Sequence, residues 1–128
     1  GTTGKYSRIL IGQKNEAPTV FKRNNKYYLI TSGLSGYNAN PARSASSDNI
    51  FGPWTDLGNP VKSSNYDDKL TTYHSQPAFV FQKINSNALV MLADRWNTSG
   101  GGYKNLWKSS YVWLSIEFED KKPKLVAN

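Results

Sequence analysis

Apolar and polar residues alternate in short runs along this chain, and Gly, Asn, Ser or Pro closes nearly every run. Residues 17–22 and 27–32 carry the β-branched and aromatic side chains that suit a pleated, half-buried surface. Asn24-Asn25-Lys26 between them predicts a hairpin turn. Residues 42–46 and 54–57 predict a third and a fourth strand, joined through Phe51-Gly52-Pro53. A polar connection, 58–70, follows. No window longer than about ten residues keeps a 3.6-residue apolar period, so no helix is predicted.

The pattern then repeats. Residues 77–82 and 89–93 flank a turn at 84–87, with 111–118 and 124–126 as a third and a short fourth strand. Sliding the first unit by 60 positions lays Glu16 on Gln76 and Val20-Phe21 on Val80-Phe81. Two four-stranded antiparallel units at that period predict radial repetition, the β-propeller, with an eight-stranded sandwich as the competing arrangement. Two blades do not close a ring, because propellers run from about four to eight blades. The ring is therefore expected to need further blades or self-association. Residues 7–12, SRILIG, predict the last strand of a preceding blade. The expected organisation is the end of a blade at 5–15, a blade at 16–60, a connection at 61–75 and a blade at 76–128.

Composition narrows the options only slightly. The 128 residues suffice for a core, and the absence of cysteine excludes a disulfide framework and a thiolate metal site. No apolar run approaches the roughly 18 residues of a membrane-spanning helix, so no membrane partner is expected. Residues 1–5 read as a domain edge rather than a secretion signal. The net charge is +7, but the basic residues are scattered, with Lys121-Lys122-Pro123-Lys124 the one cluster. No nucleic-acid-binding spacing accompanies them, so they read as a solvated basic surface and no nucleic acid is expected. Eight Tyr, four Trp and five Phe belong mainly to strand faces, and a minority in a cleft would suit stacking on sugar rings or bases.

The segments EAPTVFKRNNKYYLITSG (16–33), SGYNANPARSASSDNIFGPWTDLGNP (35–60), YHSQPAFVF (73–81), ADRW (93–96) and SSYVWLSIEF (109–118) resemble glycoside hydrolase family 43, the five-bladed β-propeller glycosidases. The resemblance is strongest to the branch acting on β-1,3-galactan and covers the C-terminal part of the catalytic domain. It implies hydrolysis with inversion, which needs two carboxyl groups about 6.5–9.5 Å apart, one as acid and one activating water. The glutamate opening the EAP strand is the family's general acid, and Glu16 occupies that place. Read alone, a Glu before a strand is usually a solvated carboxylate. The family's base and the aspartate that tunes the acid come from earlier blades and have no counterpart here. The resemblance thus implies an isolated chain without activity.

Gln76 is the counterpart of Glu16 and, by resemblance, a sugar contact; its amide both donates and accepts. Its bland alternative is a backbone-bonding Gln at a strand end. Asp94 and Trp96 are candidates for a sugar hydroxyl and ring, against an Asp94–Arg95 ion pair and a Trp96 packed between blades. Tyr37 and Asn40 are candidates for the pocket rim. His74, the single histidine, makes a poor metal site alone, so no metal and no cofactor are expected. The expected partner is an oligo- or polysaccharide, and the family implies a secreted or periplasmic setting. The alternative function is a stand-alone, non-catalytic carbohydrate-binding or assembly module.

Overall fold

The structure, a computed structural model, describes residues 4–128. The domain-edge reading of residues 1–5 lies mostly outside them. Two four-stranded antiparallel sheets follow one another, each a simple meander. The first comprises β1 (Glu16–Arg23), β2 (Lys26–Ser32), β3 (Arg43–Ser47) and β4 (Thr55–Gly58). The second comprises β5 (Gln76–Gln82), β6 (Leu89–Arg95), β7 (Ser110–Glu119) and β8 (Lys122–Ala127). Neither sheet closes on itself. Between the sheets, β1 and β2 lie against β5, so the two blades meet at their inner strands. The connection after β4 runs beside the outermost strand of the other blade, where Val61 pairs in parallel with Leu125.

Turn chemistry explains the hairpins. Asn24 and Asn25 both have positive φ, 49° and 60°. Such a two-residue turn matches the right-handed strand twist, and Asn tolerates that region better than most residues. Asp120 and Lys121 repeat the geometry between β7 and β8, at 48° and 61°. Here the structure departs from the expectation, because β8 begins at Lys122 rather than 124. Pro123 is tolerated on an edge strand, where its missing N–H forfeits no ladder bond. The basic cluster is therefore a strand edge facing acid: Lys122 stands opposite Glu119 and Lys124 opposite Glu117. Lys62 reaches both of those glutamates from the connection, which raises its pKa.

Two further expectations are corrected. Residues 7–12 form no strand. Leu10 (φ 49°) and Gly12 (φ 83°) break the extended backbone, and Gln13 N–H closes a turn onto the Leu10 carbonyl at 3.2 Å. The segment instead lies along the first blade: Ser7 Oγ donates to the Phe51 carbonyl at 3.0 Å, and Arg43 donates to the Gln13 carbonyl and to Asn15 Oδ1. A short helix, α1 (Tyr66–Thr71), interrupts the polar connection. Six residues with no buried face carry no apolar period, but its start was encoded. Asn65 accepts from Asp67 N–H as an N-cap, and Asp67 and Asp68 sit in the first turn, where the helix dipole favours them. No helix of the described residues is long and apolar enough to cross a membrane.

The core lies between the blades. Phe21, Tyr28 and Ile30 of the first pack with Val80, Met91, Leu114 and Ile116 of the second, and with Leu125 and Val61. Tyr28 stacks on Phe21 at 5.4 Å and meets the Phe118 ring edge-on at 5.1 Å. These residues alternate along their strands, as one buried sheet face requires. This burial sets the angle at which β1 and β5 bring their first residues together.

Candidate functional site

Each inner strand opens on a polar residue and then breaks register. The ladder shifts between Glu16 and Thr19 in β1, and between Pro77 and Phe79 in β5. A bulge bends its strand and re-aims the side chain beside it. In β1 the bulge includes Ala17 at φ 50°, a sparsely allowed conformation for a residue with a Cβ. Glu16 and Gln76 thus occupy equivalent places. Both are half-buried.

Ser32, at the end of β2, ties them together. It is the ladder partner of Glu16 and is 2% exposed. Its hydroxyl lies 3.5 Å from the Glu16 carbonyl and accepts from Gln76 Nε2 at 3.1 Å. On its other side, Gln76 Oε1 accepts from the Trp96 indole N–H at 2.9 Å. A cavity of about 160 Å³ opens here, lined by Ser32, Gln76, Asp94 and Trp96 and by the loop that carries Tyr37 and Asn40. Glu16 stands beyond Ser32 rather than in the cavity wall.

The polypeptide spends conformational energy to start β5 there. Thr72, Tyr73 and His74 are consecutive left-handed residues, at φ 54°, 56° and 55°. Such geometry costs roughly 1–2 kcal/mol per residue with a Cβ. Surrounding bonds hold it: Ser75 N–H donates to the Thr71 carbonyl at 3.1 Å, and Arg95 Nη2 to the Tyr73 carbonyl at 2.8 Å. The Tyr73 hydroxyl donates to the Lys62 carbonyl at 2.6 Å. Thr72, fully buried, donates to the Asn40 carbonyl and accepts from Ala42 N–H, pinning the opposite loop.

The remaining candidates sort by what their polar atoms already hold. Asn40 lines the cavity, but its amide is engaged: Oδ1 accepts from Gly33 N–H at 2.8 Å, and Nδ2 donates to the Gly33 carbonyl and to Ser35 Oγ. Tyr37 meets the Trp96 ring edge-on at 5.2 Å and Tyr103 at 5.5 Å, so an aromatic row joins the loops of the two blades. Asp94, the ladder partner of Gln76, lines the cavity, and burial raises its pKa. The expected Asp94–Arg95 ion pair does not form among the described residues. Arg95 turns to Tyr73 instead, because successive residues of a strand point to opposite faces.

His74 pairs with Asp67 of α1 at 2.9 Å. No group of three metal-ligating side chains exists among the described residues. Ser32, Thr72 and Tyr103 were absent from the expected set. A serine ending a core strand and a threonine before a left-handed turn carry no distinguishing local signal.

Paired four-stranded blades, wedged at their inner strands around a polar pocket, are the building units of a β-propeller, and this pair is related to the family 43 glycoside hydrolases of the β-1,3-galactan branch. The chain matches a GH43 β-1,3-galactosidase, BT0265, at 35% identity and TM-score 0.86, over 98% of its own length and 25% of that protein's. The exo-β-1,3-galactanase 1,3Gal43A of Clostridium thermocellum matches at 38% identity and TM-score 0.73, over 89% of this chain and 23% of that one. Pc1,3Gal43A of Phanerochaete chrysosporium, solved as a variant with β-1,3-galactotriose, matches at 30% and 0.74, over 90% and 24%. The chain thus spans about a quarter of the length of these solved relatives. No protein-family model and no curated protein matches the sequence.

Proposed function

We propose that this chain supplies the acid-bearing half of a galactan-cleaving pocket, with Glu16 as general acid and Gln76 and Asp94 as contacts to sugar hydroxyls. The observation that carries the reading is the Ser32 bridge, which links the backbone of Glu16 to the Gln76 amide, with Gln76 in the wall of the polar cavity and Glu16 next to it beyond Ser32. Gln76 and Asp94 are ladder partners, so an amide and a carboxyl stand side by side, a pairing suited to neighbouring hydroxyls on one ring. The solved relatives include proteins described with galactose and β-1,3-galactotriose, which supports that substrate class. A secreted or periplasmic setting accords with a polymeric substrate.

Inversion requires a second carboxyl group to activate water. In this proposal it comes from further blades of the ring. The outward face of the second blade is suited to receive one: Phe79 and Trp113 flank Leu92 in the ladder and are 60% and 55% exposed. Combining this chain with the remaining blades of a family member is expected to release galactose from β-1,3-galactan, and Glu16→Gln is expected to cut the rate by a factor on the order of a hundred or more. Unchanged turnover with Gln at position 16 removes the acid from its role. A second reading, a binding module without chemistry, is favoured by a cavity built wholly from two blades. Saturable galactose uptake by the isolated chain, with no hydrolysis in any combination, selects it.

A further inference from the structure

We infer that Trp96 is a positioning residue that fixes the polarity of the Gln76 amide, so that Gln76 meets a ligand as an N–H donor. The inference rests on the carbohydrate reading above but goes beyond it. A glutamine side chain can be turned over, exchanging its oxygen and nitrogen, and its surroundings decide which way it lies. Ser32 does not decide, because a hydroxyl donates or accepts equally well. Sugar hydroxyls are ambivalent in the same way. Trp96 is not: an indole N–H only donates, so Gln76 must turn Oε1 toward it, 2.9 Å away. Nε2 is then left to face Ser32 at 3.1 Å, and Ser32, having accepted, directs its own proton toward the Glu16 carbonyl. The three bonds share one sense, from the second blade to the first.

One Nε2 hydrogen remains for the cavity that Gln76 lines. Asp94 beside it, when ionised, has only acceptors to offer, so the pair presents one donor and one acceptor. The indole is itself held in place, by the edge of Tyr37 at 5.2 Å. Trp96 therefore acts on the ligand through Gln76 and not as a stacking surface.

A double-mutant cycle with Trp96→Phe and Gln76→Met in the isolated chain tests this, read by galactose titration and by solvent exchange of the Trp96 indole N–H. Trp96→Phe is expected to weaken galactose binding on the order of tenfold, the loss of one oriented hydrogen bond. On the Gln76→Met background it is expected to add nothing. Indole exchange is expected to be slow in the native chain and at least about tenfold faster in Gln76→Met, as for a lost hydrogen bond. A further loss from Trp96→Phe on the Gln76→Met background means that the indole touches the sugar, and overturns the inference. So does native binding in Trp96→Phe, or an indole that exchanges freely in the native chain. A native chain that takes up no galactose removes the binding-module reading instead, and the titration is then made on the chain combined with the completing blades. The exchange arm then still decides whether Trp96 holds Gln76.

Discussion

The two blades share strand number, meander order and an opening bulge, yet they cover their faces differently. In the first, Tyr28 through Ser32 are all buried, so both faces of β2 are shielded from water. Leu29 points away from the shared core and is still only 3% exposed. In the second, the positions facing away from that core include Phe79, Tyr111 and Trp113, all more than half exposed, with Trp113 meeting Phe81 edge-on at 5.3 Å. A row of aromatics on an open sheet face is a surface built for contact. One blade template thus serves two situations, with the outward face covered in the first blade and exposed in the second.

Substitutions that treat the two faces of the second blade differently test this most directly. Leu114, fully buried between the blades, is expected to cost about 2–5 kcal/mol when replaced by Ala, measured by denaturant unfolding. Trp113→Ser, next to it in sequence on the opposite face, is expected to change the stability of the isolated chain by less than about 1 kcal/mol. It is nonetheless expected to abolish association with completing blades, followed by sedimentation. Equal stability losses at positions 113 and 114 would mean that both faces are already covered, and the comparison fails.

A smaller effect separates the pocket from the faces. Burial raises the Asp94 pKa, so the folded chain holds this proton at pH values where the unfolded chain has released it. Stability therefore falls as pH rises from the ordinary carboxyl value of 3.8 through the folded one. Asp94→Asn is expected to raise the melting temperature by about 1–2 °C at neutral pH, and to leave it unchanged at pH values well below 3.8. Thermal melts across that range check it. A lower melting temperature in the Asn variant at neutral pH would mean that the carboxylate has a stabilising partner.

Strand positions, both hairpins and the 60-residue repeat were legible because each rests on neighbours in sequence. Alternation marks a sheet face, and Asn24-Asn25 marks a tight turn. The equivalence of Glu16 and Gln76 as the residues that open the two inner strands was legible for the same reason, since each precedes the same bulge; that only Gln76 lines the cavity was not. What misled was local chemistry without its context. Residues 7–12 look like a strand but pair with no sheet, and Pro123 looks like a break but sits on an edge. Helix α1 is shorter than two turns and leaves no period to read.

By itself, then, the sequence determined two antiparallel blades, their order and the polar residue that opens each inner strand, because those depend on pattern and turn chemistry alone. Only the tertiary structure decided which polar groups meet. Gln76 finds Ser32 across 44 residues and Trp96 across 20, and Asn40 gives its amide to its own loop. The Gln76–Ser32 contact follows from the angle at which the buried faces of the two sheets pack, and the other two from how each loop folds back on its own blade, properties of many side chains at once.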